Sequence, residues 1–240
     1  MRPAGFWRRC AAWSLDALPV GVASLTLALA LRRPSPGIGG DALASAWASL
    51  VEALAHRVAA AVTGAYGESG AGALYVLVRG ALRDPVLLTA ADAVQEALAA
   101  LVIPPLIAFN ALFLAWCVGF ERSPLRATPG KRALGLRVAT TDGSAPGTGR
   151  LLLRFLAGAL SWLSLNLGHL LAAMPPAHAT LHDRISATRV VLAPEAPETL
   201  PSWARAWLWI LAAALLLATA WAAAAMAASM RLALDRALWG

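Results

Sequence analysis

Charge is scarce in this sequence. Only 14% of the 240 residues are Asp, Glu, Lys or Arg, against 59% that are hydrophobic, and the mean hydropathy is +0.64. One soluble core of this size does not bury that much apolar surface, so an ordinary soluble domain is excluded and a bilayer partner is indicated. Lysine is nearly absent: Lys131 is the single one among 20 basic residues. A net charge of +7 would suit a nucleic-acid partner. The arginines, however, lie between apolar runs rather than on one polar face. They read as topology signals at an anionic membrane surface, and no nucleic acid is expected. Cysteine is limited to Cys10 and Cys117, both near the expected cytoplasmic ends of helices. That placement argues against a structural disulfide, and the spacing fits no metal or redox motif.

What the chain does have is long apolar runs. Cys10 to Leu31, Ala97 to Gly119, Leu151 to Met174 and Trp207 to Ser229 each compare with the roughly 20 residues that cross a bilayer as helix. The expected fold is an all-α integral membrane protein with about four hydrophobic helical segments and a small cytoplasmic β-hairpin-like element. The first run is preceded by Arg2, Arg8 and Arg9 like a signal peptide. It is longer than a secretory apolar region, Asp16 interrupts it, and Arg32 and Arg33 stand where small residues would precede cleavage, so it reads as an uncleaved span. Arg122, Arg126, Lys131, Arg132, Arg137 and Arg150 follow the second span. By the positive-inside rule the loop 120–150 and the N-terminus are cytoplasmic, in a multi-pass protein of the cell membrane, and the segment 32–96 is extracytoplasmic.

Within 32–96, Leu43, Trp47, Leu50, Leu54, Val58 and Val62 recur at helical steps, opposite Asp41, Ser45, Ser49, Glu52 and His56. An amphipathic helix follows, lying on the membrane or against other helices. Pro34, Pro36, Gly37, Gly39 and Gly40 before it, and Gly64 to Gly72 after it, read as loops. Thr89 with Asp92 predicts a helix start ahead of Ala93, and Pro104-Pro105 predicts a kink. Residues 194–202 form a Pro-rich, acidic linker. Beyond it, 203–240 read as an additional C-terminal transmembrane helix, with Trp203, Trp207, Trp209 and Trp239 as interfacial anchors.

The third run is less simple. Leu134 to Thr140 and Ala187 to Val191 both read as short β-branched strands, and their pairing requires one compartment. Ser161, Ser164, Asn166, Gly168 and His169 break the run between them. Non-helical backbone at membrane depth is tolerated where protein or water surrounds it, so a re-entrant hairpin with cytoplasmic ends is expected over a single crossing.

Three stretches carry a family resemblance: FWRRCAAWSLD (Phe6 to Asp16), TPGKRALGLRVATTDGSAPGTGRLLLR (Thr128 to Arg154) and LHDRISATRVV (Leu181 to Val191). With Arg9 and Asp16 seven apart and Asp183 in a Leu-His-Asp triplet, the region from Phe6 to about Val191 resembles the RDD family of small integral membrane proteins. The resemblance implies a membrane domain over residues 1–193 and a transport-related role, and it makes Arg9, Asp16 and Asp183 the signature charges.

Arg9 and Asp16 lie on nearly one helix face, about 10 Å apart along the axis, and Asp183 is the natural third group. Charge inside a membrane helix is costly, so one reading makes Asp16 and Asp183 a carboxylate cluster for a monovalent cation or proton. In the other, Arg9 pairs with Asp183 to hold the returning segment on the first helix, while Asp16 bonds neighbouring backbone. Asn110, Asn166, His169 and His182 are the other polar groups available to line a pathway or join helices. His178 and His182 are four apart, but too few further ligands accompany them for a metal site. Pro129, Gly130, Lys131 and Arg132 read as a cytoplasmic turn at the headgroups, since Leu125 and Arg132 stand where a phosphate-binding loop needs Gly and Ser or Thr. No enzyme and no cofactor are expected. Two functions remain: a small transporter, with cation/proton exchange as its specific form, or a non-catalytic scaffold or assembly factor. The expected partner is the lipid bilayer, and a homo-oligomer, which would close a pathway between chains, discriminates between the two functions.

Overall fold

The computed structural model describes residues 2–31, 40–64, 71–176 and 178–240. They form two compact units, Met1–Ala30 with Pro105–Ala213, and Leu31–Pro104 with Ala214–Gly240. Among the described residues, three helices are long and apolar enough to cross a membrane: α1 (Phe6–Leu31), α4 (Pro85–Arg122) and α9 (Ser202–Trp239). Little of their apolar surface is buried by the chain itself, and lipid is the environment that covers it. The molecule is an all-α membrane protein, with one small sheet among the described residues.

In the first unit, α5 (Pro129–Ala133) leads into β1 (Leu136–Thr140). Thr128 is extended and its side chain accepts from the Lys131 amide, while Pro129 occupies the first turn, where no amide partner is needed. The Pro-Gly-Lys-Arg segment is therefore one turn of helix. Gly135 ends it at φ +64, and a Cβ there would lie 2.6 Å from that of Ala196. β1 pairs antiparallel with β2 (Thr188–Leu192), placing Val138 opposite Val190 and Thr140 opposite Thr188. The N-terminal strip covers the other edge of β2: the Ala4 amide donates to the Val190 carbonyl and the Leu192 amide to that of Arg2. Leu136, Val138, Leu151 and Val190 pack with Ala4, Ala11, Ala12 and Ala204 in the core of this unit.

Between the strands, α6 (Thr148–Leu163) bends by 114° into α7 (Leu167–Leu170) and a 3-10 turn (Leu171–Ala173). Leu165 and Asn166 are left-handed at the break, with φ of 52° and 66°. Gly168 is dictated by packing, because a Cβ would lie 2.4 Å from Ser161 Oγ. Each end of the bent stretch leads to one strand of the hydrogen-bonded pair, and its two helices together have the length and apolarity of a broken span or a re-entrant loop. α8 (Leu181–Ile185) carries the chain back to β2.

The second unit contains α2 (Gly40–Gly64) and α3 (Ala71–Ala81) with parts of α4 and α9. Gly40 and Gly72, expected in loops, are helical, whereas Pro34, Pro36, Gly37 and Gly39 lie outside the described residues. The most buried face of α2 runs through Val51, Ala55 and Ala59, rotated from the leucine stripe, and Val62 is exposed. Val51 and Ala55 meet Ala233 of α9, and Trp47 Nε1 donates to Ser229 Oγ at 3.2 Å. The start of α4 also differs from expectation. Asp84 Oδ1 accepts from the Val86 and Leu87 amides at 2.9 and 3.4 Å, while Thr89 lies inside the helix and bonds the Pro85 carbonyl. α4 continues through Pro104-Pro105, and the boundary between the units falls there.

Candidate functional site

Asp183 organises the buried polar centre of the first unit. Thr180 and Asp183 form a capping box on α8: the Asp183 amide donates to Thr180 Oγ1 at 3.3 Å, and Asp183 Oδ2 accepts from the Thr180 amide at 3.0 Å. The same carboxylate takes Arg9 Nη1 on Oδ2 at 2.5 Å and Arg154 Nη1 on Oδ1. Arg154 also donates to Thr188 Oγ1 at 2.9 Å, and Arg9 donates to the carbonyls of Ala4, His178 and Val190. The Asp183 side chain is 0% exposed, and those of Arg154 and Arg9 only 10% and 12%. Two guanidinium groups and one carboxylate thus share a buried site with net charge of about +1. Burial opposes ionisation of Asp183, but Arg154 and Arg9 outweigh it and hold its carboxyl well below the usual range. Beside them the imidazole of His182 is pushed down to about 2, by burial first and then by the Arg154 charge, so it is neutral in the fold.

Asp16 sits apart. Its Oδ1 accepts from the Gly130 amide at 2.8 Å and Trp116 Nε1 at 3.1 Å, and Oδ2 from Thr128 Oγ1 at 2.5 Å. The residue is 2% exposed, so three neutral donors, one of them on α5, replace its hydration. Gly130 has to be glycine: an added Cβ would lie 2.3 Å from the Ala12 carbonyl oxygen and 2.8 Å from Asp16 Oδ2. Among the described residues Asp16 and Asp183 share no hydrogen-bonding partner, and Arg154 rather than Asp16 completes the Arg9 and Asp183 pair.

The remaining polar candidates scatter. Asn110 is exposed and donates to the Leu106 carbonyl of its own helix at 2.8 Å. Asn166 precedes α7 with no side-chain capping bond. His169 packs its ring 5.3 Å from that of His182, and His182 Nε2 lies 4.0 Å from Asp183 Oδ1. His178 faces away, with Nδ1 2.9 Å from the Ala172 carbonyl oxygen. Ser161 Oγ and the Nδ1 atoms of His169 and His182 are buried without a hydrogen-bond partner. Lys131 pairs with buried Glu121 at the end of α4, and Arg132 is exposed. Cys10 and Cys117 are both free thiols.

The RDD family model matches residues 3–187, from the strip beside β2 to the turn that follows Asp183. The chain belongs to the RDD family. No curated protein and no solved structure matches it.

Within the RDD domain, the residues that sequence reasoning passed over are the partners of its signature charges. Arg154 had a visible signal, since an arginine inside Leu151 to Leu156 is a charge in an apolar run and demands a counter-ion. Thr180 with Asp183 also matches a capping box in sequence. Trp116, Thr128 and Glu121 carried no comparable signal, because nothing local requires an indole, a threonine or a glutamate to face a distant side chain. α9, outside the matched region, still contributes: Trp207 Nε1 donates to Ser14 Oγ of α1 at 3.0 Å.

Proposed function

We propose that this RDD protein is a non-catalytic membrane scaffold or assembly factor, in which the signature charges hold the two-stranded cap against the membrane helices. The observation that carries this reading is that each carboxylate already accepts three hydrogen bonds from the protein itself. Asp16 accepts from Trp116, Thr128 and Gly130, and Asp183 from Arg9, Arg154 and Thr180. A cation binding at Asp183 would have to enter beside two arginines, and one binding at Asp16 would displace hydrogen bonds that fasten α5. The basic loop supports a cell-membrane location with a cytoplasmic N-terminus.

A second reading, exchange of a monovalent cation for protons, is favoured by one observation. Ser161 Oγ and the Nδ1 atoms of His169 and His182 lack partners in and behind the bent stretch, where polar atoms normally bond to protein or water. Liposomes holding the purified protein and a pH-sensitive dye separate the two. The scaffold reading expects no proton flux above empty liposomes on adding sodium, lithium or potassium. Cation-dependent flux that folded Asp16→Asn or Asp183→Asn abolishes would establish the exchanger instead.

A further inference from the structure

We propose that the first unit binds one anionic glycerophospholipid, with an acyl chain in a trough between α1 and α4 and the headgroup at Arg132. The trough holds ≈ 620 Å³ and is walled by Pro19, Val20 and Ala23 of α1 and by Ala115, Trp116 and Gly119 of α4. Small residues create it: an added Cβ on Gly119 would meet nothing within 4 Å. Phe120 closes its end and is also a wall of a second hollow of ≈ 450 Å³, lined by Leu125, Ala127, Pro129 and Arg132. Phe120 thus stands between an apolar trough on two membrane helices and a hollow that a guanidinium lines.

The charge at that end singles out the ligand. Neighbouring cations are engaged: Lys131 with Glu121, Arg122 with Thr148 Oγ1, and Arg126 with the Gly143 carbonyl. Arg132 is exposed, and among the described residues its side chain has no hydrogen-bond or ion-pair partner. A free cation at the head of an apolar trough complements an acyl chain joined to a phosphate, and a zwitterionic lipid would gain less from it. The site is independent of whether the protein scaffolds or transports. A basic residue near an anionic surface contributes on the order of 1 kcal/mol, which corresponds to about fivefold in affinity.

The full chain in mild detergent, titrated with equal phosphatidylglycerol and phosphatidylcholine of matched acyl chains and read by native mass spectrometry, tests this. The expected result is a preference for phosphatidylglycerol of about fivefold. Arg132→Gln should bring that preference near unity, while Arg150→Gln, at another exposed arginine, should retain it. Gly119→Leu, which fills open space, should lower occupancy by both lipids. Each variant is first shown to elute and melt as wild type does, and Gly119→Ala replaces the leucine if that variant fails. Equal binding of the two lipids, a preference that survives Arg132→Gln, undiminished occupancy after filling the trough, or a dimer that occludes it overturns the proposal.

Discussion

Replacing Asp183 with Asn should cost far more stability than replacing Arg9 with Gln, although the two side chains form one ion pair. The asymmetry follows from the charge count at the site, where Arg9 and Arg154 share one carboxylate and all three side chains are at most 12% exposed. Asp183→Asn keeps the size and an acceptor for the Thr180 amide, but leaves two guanidinium groups facing each other without a counter-ion. Breaking a buried pair from one side costs about 3–5 kcal/mol. Arg9→Gln leaves Arg154 and Asp183 as a neutral pair, and its main loss is hydrogen bonding to the carbonyls of Ala4, His178 and Val190. A cost of about 1–3 kcal/mol is expected there. At about 2–4 °C per kcal/mol for a chain of this size, Asp183→Asn should lower the apparent Tm by roughly 6–20 °C, and Arg9→Gln by roughly 2–12 °C. The assay is thermal unfolding of detergent-solubilised protein at one fixed scan rate, because irreversible transitions depend on it. The double variant should lose less than the sum of the singles, since removing Arg9 relieves the repulsion that Asp183→Asn creates. If Asp183→Asn melts within about 2 °C of wild type, or Arg9→Gln loses as much, the site is not the tightly coupled triad described above.

Two glycines of the RDD domain should respond oppositely to alanine. Gly130→Ala pushes a methyl against the Ala12 carbonyl and the Asp16 carboxylate and should cost more than about 2 kcal/mol, whereas Gly119→Ala meets open space and should be neutral or gain about 0.5–1 kcal/mol from helix propensity. Equal Tm values for the two variants would show that α5 is not packed against α1 at Asp16. Stability should also fall in mild acid. His182, facing Arg154, Asp183, His169 and Arg9, has its pKa lowered to about 2 in the fold. The unfolded chain takes up that proton below about pH 6.5, so its contribution is complete above that pH and declines by up to about 1.4 kcal/mol per unit below it. The lowered carboxyl of Asp183 adds a loss of the same sign only below about pH 4. His182→Gln should flatten the melting profile between pH 6.5 and 5, and a wild-type Tm that is constant over that window refutes the assignment.

Much of this architecture was legible along the chain because it depends on local properties. Apolar length marks α1, α4 and α9 as spans, since a helix must satisfy its own backbone in lipid. β-branched runs mark both strands, and the polar break from Ser161 to His169 marks the bend between α6 and α7. Arg9, Asp16 and Asp183 stand out because ionisable residues in or beside apolar runs are expensive. Tertiary structure decided which groups answer them. Asp183 lies 29 residues from Arg154 and 174 from Arg9, and Asp16 lies 114 from the amide of Gly130. Periodicity says nothing about contacts at such separations. The face of α2 that meets α9 was settled in the same way: Val51 and Ala55 pack with Ala233, and of the expected stripe Trp47 joins them there. The sequence by itself determined that this chain enters a membrane and carries charge there, through local cost. Only the folded chain decided how that charge is neutralised, because the partners are brought together by packing between elements far apart in sequence.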